Sequence, residues 1–478
     1  MAFLIGGANS AADTGYSIAN SCRFQDSESA EMSRAIASTG SNTTWTVSAW
    51  VKRCELGQSS PIFGTGDGNA NNDARMVFFD ADDKIECSYY NSGFTYEVTT
   101  NRLFRDLSSW YHICILFDTT EGTAANRIKI YVNGTQETSF ATSSYPAEDA
   151  TFNFGNTSYT HYVNDMGGRN IRGSHYIAEL VYIDGTASAV TNFGEFNSDS
   201  PNIWQPVDVS GLSGGTNGVY LDFEASDNLG NAVDGGTDFT EANLDAQNQM
   251  TDSPTNNACT MNPLDNYYGA QTYSEGNLKI VSPSGNAAAP HSTFGLTSGR
   301  WYAEAKMSAQ GADQTLIGIS SNAATETDFH LGKGATSYGM YSGSGSWYTN
   351  NGSANSYGVA WTTNDIIGIY LDLTSNKLYF AKNGTIMNSG TGIDITDPAS
   401  TELGVYFFSA MQWDNATSAT WEWNFGGGSV SAISSGNTDA NGYGNYEYDP
   451  SDGGSSSFDS AAKDFLAVNS KNLGSDGG

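Results

Sequence analysis

Residues 361–385 read WTTNDIIGIYLDLTSNKLYFAKNGT, and residues 110–135 read WYHICILFDTTEGTAANRIKIYVNGT. Each stretch runs from a Trp through an apolar strand to an Asp, crosses a polar turn, and enters a second strand ending in Asn-Gly-Thr. Alternation within the strands assigns faces: Ile128, Ile130 and Val132 point one way and Lys129 and Tyr131 the other. By the same rule Ile367, Ile369, Leu371, Leu378 and Phe380 belong to a core. Asn133-Gly134 supplies the positive φ that a tight hairpin turn demands. One hairpin plan used twice, far apart in the chain, predicts two β-sandwich domains built alike, by a shared plan rather than proven duplication.

Working outward, 478 residues exceed what one core usually organises, so two domains of roughly 200 residues each are expected. In the first, TWTVSAWVK places Trp45, Val47, Ala49 and Val51 on one face and Thr46 and Ser48 on the other, a half-buried strand. RMVFFD and KIECSYY form a hairpin about Ala81-Asp82-Asp83, and HYIAELVYIDG adds a further strand. In the second, GRWYAEAKM alternates, with Trp301, Ala303, Ala305 and Met307 inside and Tyr302, Glu304 and Lys306 outside. NLKIVS, TLIGIS, LGVYFFSAM and ATWEWNFGG complete the set.

The boundaries read from these patterns are an arm over 1–20, a sandwich over 21–205, a bridge over 206–270, a second sandwich over 271–430 and a Gly/Ser-rich tail over 431–478. The bridge is rich in Asn, Asp and Thr, yet Phe239, Leu244, Met250, Met261 and Leu264 punctuate it. A free linker has no use for evenly spread apolar anchors, so the bridge is expected to pack. Phe465, Leu466 and Val468 look like a terminal apolar anchor for the tail.

Charged residues are only 15% of the chain while Gly, Ser, Thr, Asn and Tyr abound, a composition of short strands and turns with little helix. The formal net charge of −32 repels phosphate backbones and anionic membranes, which argues against a nucleic-acid partner. MAFLIGG has no basic residue before its apolar run and does not read as a secretory signal, and no segment approaches the ~20 apolar residues of a membrane span. Cys22, Cys54, Cys87, Cys114 and Cys259 are odd in number and lack metal or redox spacing, so they read as small buried residues.

The series WTVSAWVKR, WYHICILFD, RIKIYVNGTQ and YIAELVYIDG resembles the laminin-G-like, or concanavalin A-like, jelly roll over about residues 20–205. GRWYAEAKM, DIIGIYLD, KLYFAKNGT and Asn424-Phe425-Gly426 in that order resemble the SPRY domain, itself a concanavalin A-like sandwich, over about 270–430. More narrowly, IAELVYIDGTASAVTNFGEFN with IWQPVDVSG and GTNGVYLDF, and NGYGNYEYDP with FLAVNSKNL near the end, resemble structural and tail-fibre proteins of marine tailed phages. The fold class implied is all-β: two concanavalin A-like jelly-roll sandwiches, laminin-G-like then SPRY-like, with an irregular bridge and extended termini. The narrower resemblance implies a virion protein made in the host cytoplasm, associated with other virion proteins and with itself as a homo-oligomer, a trimer by fibre analogy.

A glycanase on this fold needs paired carboxylates on one concave strand, and no E-x-D-x-E-like run occurs. No GxSxG accompanies a matching acid and His, and the five histidines show no HExxH spacing; His112 reads as structural. No cofactor is implied, with calcium the one candidate: Asp80, Asp82 and Asp83 are hard oxygen ligands in one turn, against the alternative of a solvated acidic turn. For binding, SYGMYSGSGSWYTNNGSANSYG carries Tyr338, Tyr341, Trp347, Tyr348 and Tyr357 among short polar residues, a composition for stacking on sugar rings or on a protein partner. The expectation is therefore a non-enzymatic protein displayed on the particle, as fibre, spike or head decoration, contacting a host-surface glycan or protein. The alternatives are a glycan depolymerase on this fold and a secreted bacterial adhesin or lectin.

Overall fold

Both Asn-Gly turns take the conformation that their sequence demands. Asn133 and Gly134 have φ of 47° and 73°, and Asn383 and Gly384 have 49° and 75°, the pair of positive values that a two-residue type I′ turn requires. The turns close Val132 onto Thr135 and Lys382 onto Thr385. Each Asn also clasps the start of the preceding strand: Asn133 Oδ1 accepts the His112 N–H at 2.8 Å, and Asn383 Oδ1 accepts the Ile366 N–H at 2.8 Å. The two quoted stretches thus share their hydrogen bonding as well as their layout.

The computed structural model describes residues 4–5, 15–69, 71–266, 271–284, 289–311, 314–323, 329–413, 417–450, 458 and 464–473. Contacts divide the chain into two units, residues 11–255 and residues 256–478 with residues 1–10. Apart from short single turns and the four-residue helix Ser470–Leu473, the regular structure is strand.

In the first unit, one sheet runs in the order Thr135–Gln136, Ile128–Val132, Tyr111–Asp118, Thr44–Arg53, His175–Asp184, Ser21–Phe24 and Gln249–Met250, with Val219–Leu221 also against His175–Asp184. The facing sheet runs Phe140–Ser144, Phe94–Thr100, Ile85–Asn91, Asn72–Phe79, Ser60–Gly66, Thr160–Val163, Glu31–Ala35 and Thr240–Ala242. Their inner faces share one core in which Trp45, Val47, Ala49 and Val51 meet Ile113, Ile115, Phe117, Ile128 and Ile130. Trp45 stacks on Phe117 at 5.0 Å and meets Phe154 edge-on at 5.5 Å.

The strand Thr44–Arg53 is buried on both faces, not on one as its alternation predicts. The segment after Asp184 covers the outer face: Thr46 donates to the Thr186 carbonyl at 2.8 Å, and Phe193 and Val209 pack with Cys114, Val181 and Ile183. Trp204 of this segment donates to His112 Nδ1 at 3.0 Å, which leaves Nε2 to donate to Ser48 Oγ at 2.8 Å. Burial holds His112 neutral and pushes its pKa down to about 3, the structural role its sequence context implies. The bridge divides between the units. Its residues up to 255 give the first unit three edge strands, and from 256 it joins the second, where the Cys259 N–H donates to the Val468 carbonyl at 2.9 Å. Phe239, Met250 and Met261 are buried and Leu244 is partly so, whereas Leu264 is exposed.

The second unit has a large sheet in the order Thr272–Ser274, Lys279–Ser282, Ala419–Asn424, Arg300–Gln310, Ile366–Asp372, Lys377–Lys382 and Thr385–Ile386. A smaller sheet runs Trp347–Tyr348, Ser337–Tyr341, Thr315–Ser320 and Phe407–Gln412. Leu4–Ile5 pairs in parallel with Phe294–Gly295. Register places Trp301, Ala303 and Ala305 beside Leu371, Ile369 and Ile367, and Ile369 and Leu371 beside Phe380 and Leu378; all of these are buried.

On the opposite face the same register aligns Tyr302, Tyr370 and Tyr379 in a lateral row. Alternation sets Tyr302 and Glu304 outside, and they do lie on the outer face, yet Tyr302 is fully buried and Glu304 is 3% exposed. The chain after Gly426 returns over this face, and Tyr446, Phe458 and Phe465 pack on the tyrosine row. Glu304 ties the return down, accepting the N–H groups of Glu447 at 3.0 Å and Tyr448 at 2.7 Å, and the Tyr302 hydroxyl at 2.8 Å. Tyr448 then lies over the Asn383-Gly384 turn as Trp204 lies over Asn133-Gly134: an added Cβ would sit 2.5 Å from Tyr448 at Gly384 and 2.1 Å from Trp204 at Gly134.

Two outcomes follow from this packing. Gly134→Ala combines a left-handed backbone with an overlap against an indole, and is expected to lose about 2–4 kcal/mol in denaturant unfolding. Burial, outweighing its donors, raises the Glu304 pKa from 4.5 to about 7. The native state therefore holds a proton that the unfolded chain releases, so this contribution is complete below pH 4.5 and fades as pH rises through 7, by up to about 3 kcal/mol. The stability difference between parent and Glu304→Gln, measured from pH 4.5 to 8, is expected to shift against the parent by that order.

Candidate functional site

The aromatic-rich stretch lies on the smaller sheet of the second unit, and the pleat divides it. Leu316 pairs with Tyr341 and with Met411, and Gly339 pairs with Tyr348, so Leu316, Gly339, Tyr341, Tyr348 and Met411 share the outer face. Ile317, Ile319, Tyr338 and Met340 take the inner face, and Trp347, opposite Met340, sits on that side at the sheet edge. Tyr338 is 5% exposed; it hydrogen-bonds Thr396 Oγ1 at 3.2 Å and lies 6.3 Å from the Tyr406 ring. Tyr338 is thus framework, whereas Trp347 is half-buried. Tyr357 is buried edge-on against Phe380 at 6.0 Å and lines a separate depression of about 510 Å³ with Val359, Lys382 and Met387.

Tyr341 and Tyr348 instead join two residues that composition alone did not pick out. Trp413 lies two residues beyond Met411, hence on the same face, held by its N–H to the Gln314 carbonyl at 2.9 Å. Its ring is 6.5 Å from Tyr341 and 6.4 Å from Tyr348, and these two are 6.1 Å apart. His330 stacks behind Trp413 at 4.5 Å and 22°, fixing the indole plane. Beneath lies a floor of Ala289, Leu316, Leu331 and Met411. Trp413 is 37% exposed, and among the described residues it is the one tryptophan in the exposed class. Extending the alternation of LGVYFFSAM two residues past Met411 is the signal that finds it.

The three carboxylates of the acidic turn do not converge. Asp80 Oδ1 caps the turn, accepting the N–H groups of Asp82 at 2.9 Å and Lys84 at 2.8 Å. Asp82 points to solvent beside Lys84. Asp83 is buried between Arg53 Nη1 at 3.1 Å and Arg105 Nε at 2.8 Å, and also accepts the Gly57 N–H at 2.8 Å. Burial alone would raise its pKa, but the Gly57 N–H and the two guanidiniums outweigh it and hold the carboxyl below its ordinary value. A cation there would have to displace two arginines, and among the described residues no group of three metal-type side chains assembles. The calcium expectation for Asp80, Asp82 and Asp83 accordingly has no ligand set to rest on.

Buried acids with raised pKa are candidates for acid–base chemistry; the first unit has Glu86, Asp165 and Glu179 and the second has Glu304, with Glu179 and Glu304 raised furthest. Glu179, on a bulge with φ of 48°, accepts the Tyr16 hydroxyl and that of Tyr220 at 3.3 Å, and burial lifts it to about 7. Glu304 borders a cavity of about 190 Å³ that also reaches Glu422 and Glu447. Both Glu304 oxygens and Glu179 Oε1 are engaged by donors of the chain's own fold, a holding role rather than a poised one.

Residues 26–169 match the concanavalin A-like lectin/glucanases superfamily in its laminin-G form, and residues 300–426 match the SPRY domain family. The two sandwiches are accordingly a concanavalin A-like domain followed by a SPRY domain. Ran-binding protein 9 of Xenopus tropicalis is 30% identical over 132 residues, covering 26% of this chain and 23% of that protein, and its Xenopus laevis counterpart matches to the same extent. The chain therefore spans less than a quarter of the length of these relatives. Among solved structures, the SPRY domain of human HERC1 aligns at 16% identity over 36% of this chain and 99% of that one, with a TM-score of 0.27. Stonustoxin aligns at 22% identity over 35% and 27%, also with a TM-score of 0.27.

The division of the aromatics by the pleat has a measurable counterpart. Tyr338→Ala empties an inner-face site and is expected to cost about 3–5 kcal/mol, whereas Trp413→Ala, at an exposed ring, is expected to cost under about 1 kcal/mol in the same denaturant titration.

Proposed function

We propose that the protein is a non-enzymatic virion structural protein displayed on the particle surface, and that its SPRY domain contributes to host-surface recognition. The observation that carries this reading is the outer aromatic face of Tyr341, Tyr348 and Trp413. Elsewhere the large aromatics are mostly folded under covering segments; here the exposed Trp413 stands beside the half-buried rings of Tyr341 and Tyr348, an arrangement suited to a recognition surface. The virion setting rests on the sequence resemblance of IAELVYIDGTASAVTNFGEFN, IWQPVDVSG, GTNGVYLDF, NGYGNYEYDP and FLAVNSKNL to phage structural proteins. Association with itself and with other virion proteins belongs to the same reading, a trimer being the symmetric assembly expected of a fibre. The non-enzymatic part is supported by the engagement of both Glu304 oxygens and of Glu179 Oε1 by internal donors.

The test is adsorption of the purified protein to intact host cells and to arrayed host glycans. The parent is expected to bind, and Trp413→Ala to bind at least about tenfold more weakly with unchanged melting temperature. A parent that adsorbs to neither would sink recognition as its role. Release of reducing ends from host polysaccharide would overturn the non-enzymatic reading.

A further inference from the structure

Resting on the reading of this face as a recognition surface, we propose that Tyr341, Tyr348 and Trp413 form an aromatic cage for a quaternary ammonium group, a trimethylammonium head of the choline type. The planes of Tyr341 and Tyr348 meet at 79°, those of Tyr341 and Trp413 at 82°, and those of Tyr348 and Trp413 at 65°. Three nearly perpendicular walls with nearly equal separations of 6.1, 6.5 and 6.4 Å outline the corner of a box. Perpendicular rings whose faces converged on one point would each hold it at the separation divided by √2, roughly 4.5 Å from the centroid, inside the ~6 Å reach of a cation–π interaction.

The separations lie toward the long end of the ~4.5–7 Å range of direct ring contact. Two of the walls stand on strands and the third directly follows one. Tyr341 and Tyr348 stand on paired strands, and Trp413 is backed by the stacked ring of His330. The apolar floor of Leu316, Leu331 and Met411 suits methyl groups and offers no carboxylate to a strongly hydrated ion such as ammonium or sodium. A formal charge of −32 supplies the long-range attraction for a cation. A sugar ring would use one such wall; three walls at right angles match a tetrahedral cluster of N-methyl groups.

The experiment is saturation-transfer NMR and titration of the full chain with tetramethylammonium, choline and 3,3-dimethylbutan-1-ol, the neutral carbon isostere of choline. Saturation of the N-methyl protons is expected, with the isostere bound about tenfold more weakly or not at all. Tyr341→Phe, which keeps the ring face, is expected to retain choline, and Tyr341→Leu, which keeps the bulk, to lose it about tenfold. Phosphocholine and a trimethyl-lysine peptide present the same head group from two sources, and binding of either over its unmethylated amine supports the cage. Equal binding of choline and isostere would overturn it. So would absence of choline binding, and Trp413→Ala in the host-adsorption assay then separates the readings: if adsorption still depends on Trp413, only the cage falls; if it does not, the recognition surface falls with it.

Discussion

The constraint on which the rest depends is that the central strands of both domains are buried on both faces. An antiparallel sheet ordinarily has one face on the core and one in water. Here Cys114, Val181 and Ile183 stand on the outer side of one sheet, and Tyr302, Tyr370 and Tyr379 on the outer side of another. Each fully buried ring or branched chain contributes about 1.5–3 kcal/mol only if it is removed from water, so each sandwich needs a third layer. In the first domain that layer is the segment after Asp184, and in the second it is the return of the chain after Gly426. Of the stretch that looks like an extended tail, residues 427–450, Phe458 and residues 464–473 are for that reason part of the fold. Glu304 is the polar counterpart of the same constraint, since its N–H partners exist only because the return passes over it.

What the sequence made legible was whatever is periodic. Alternation and the Asn-Gly turns located both hairpins and identified Ile367, Ile369, Leu371, Leu378 and Phe380 as core, because a strand writes its faces into every second residue. The covering layers have no period. Trp204, Tyr446 and Phe465 are single anchors in irregular chain, and nothing local says what they will cover. Tyrosine adds to the difficulty, since the same residue type serves as buried framework at Tyr302 and as a half-buried outer-face ring at Tyr341.

The site was legible in part for a related reason. Composition gathers Tyr338, Tyr341, Trp347, Tyr348 and Tyr357 into one stretch, but a shift of one residue along a strand reverses the face. Pairing sends Tyr341 and Tyr348 outward and turns Tyr338 inward, and it brings in Trp413 and His330 from distant sequence. The acidic turn shows the same limit from the other side. Asp82 and Asp83 are neighbours in sequence, yet one faces water and the other two guanidiniums, because Asp83 adopts a φ of 67° and turns into the domain.

The five cysteines give the fold a further property. All are buried as free thiols, and burial raises the pKa of Cys22, Cys54, Cys87 and Cys114. Alkylation and oxidation require an accessible thiolate, so the native fold is chemically silent toward electrophiles at these positions. Four of the thiols lie in the first domain and Cys259 in the second. The order in which they become reactive therefore records which domain opens first, and the chain carries its own timer of unfolding without any added label.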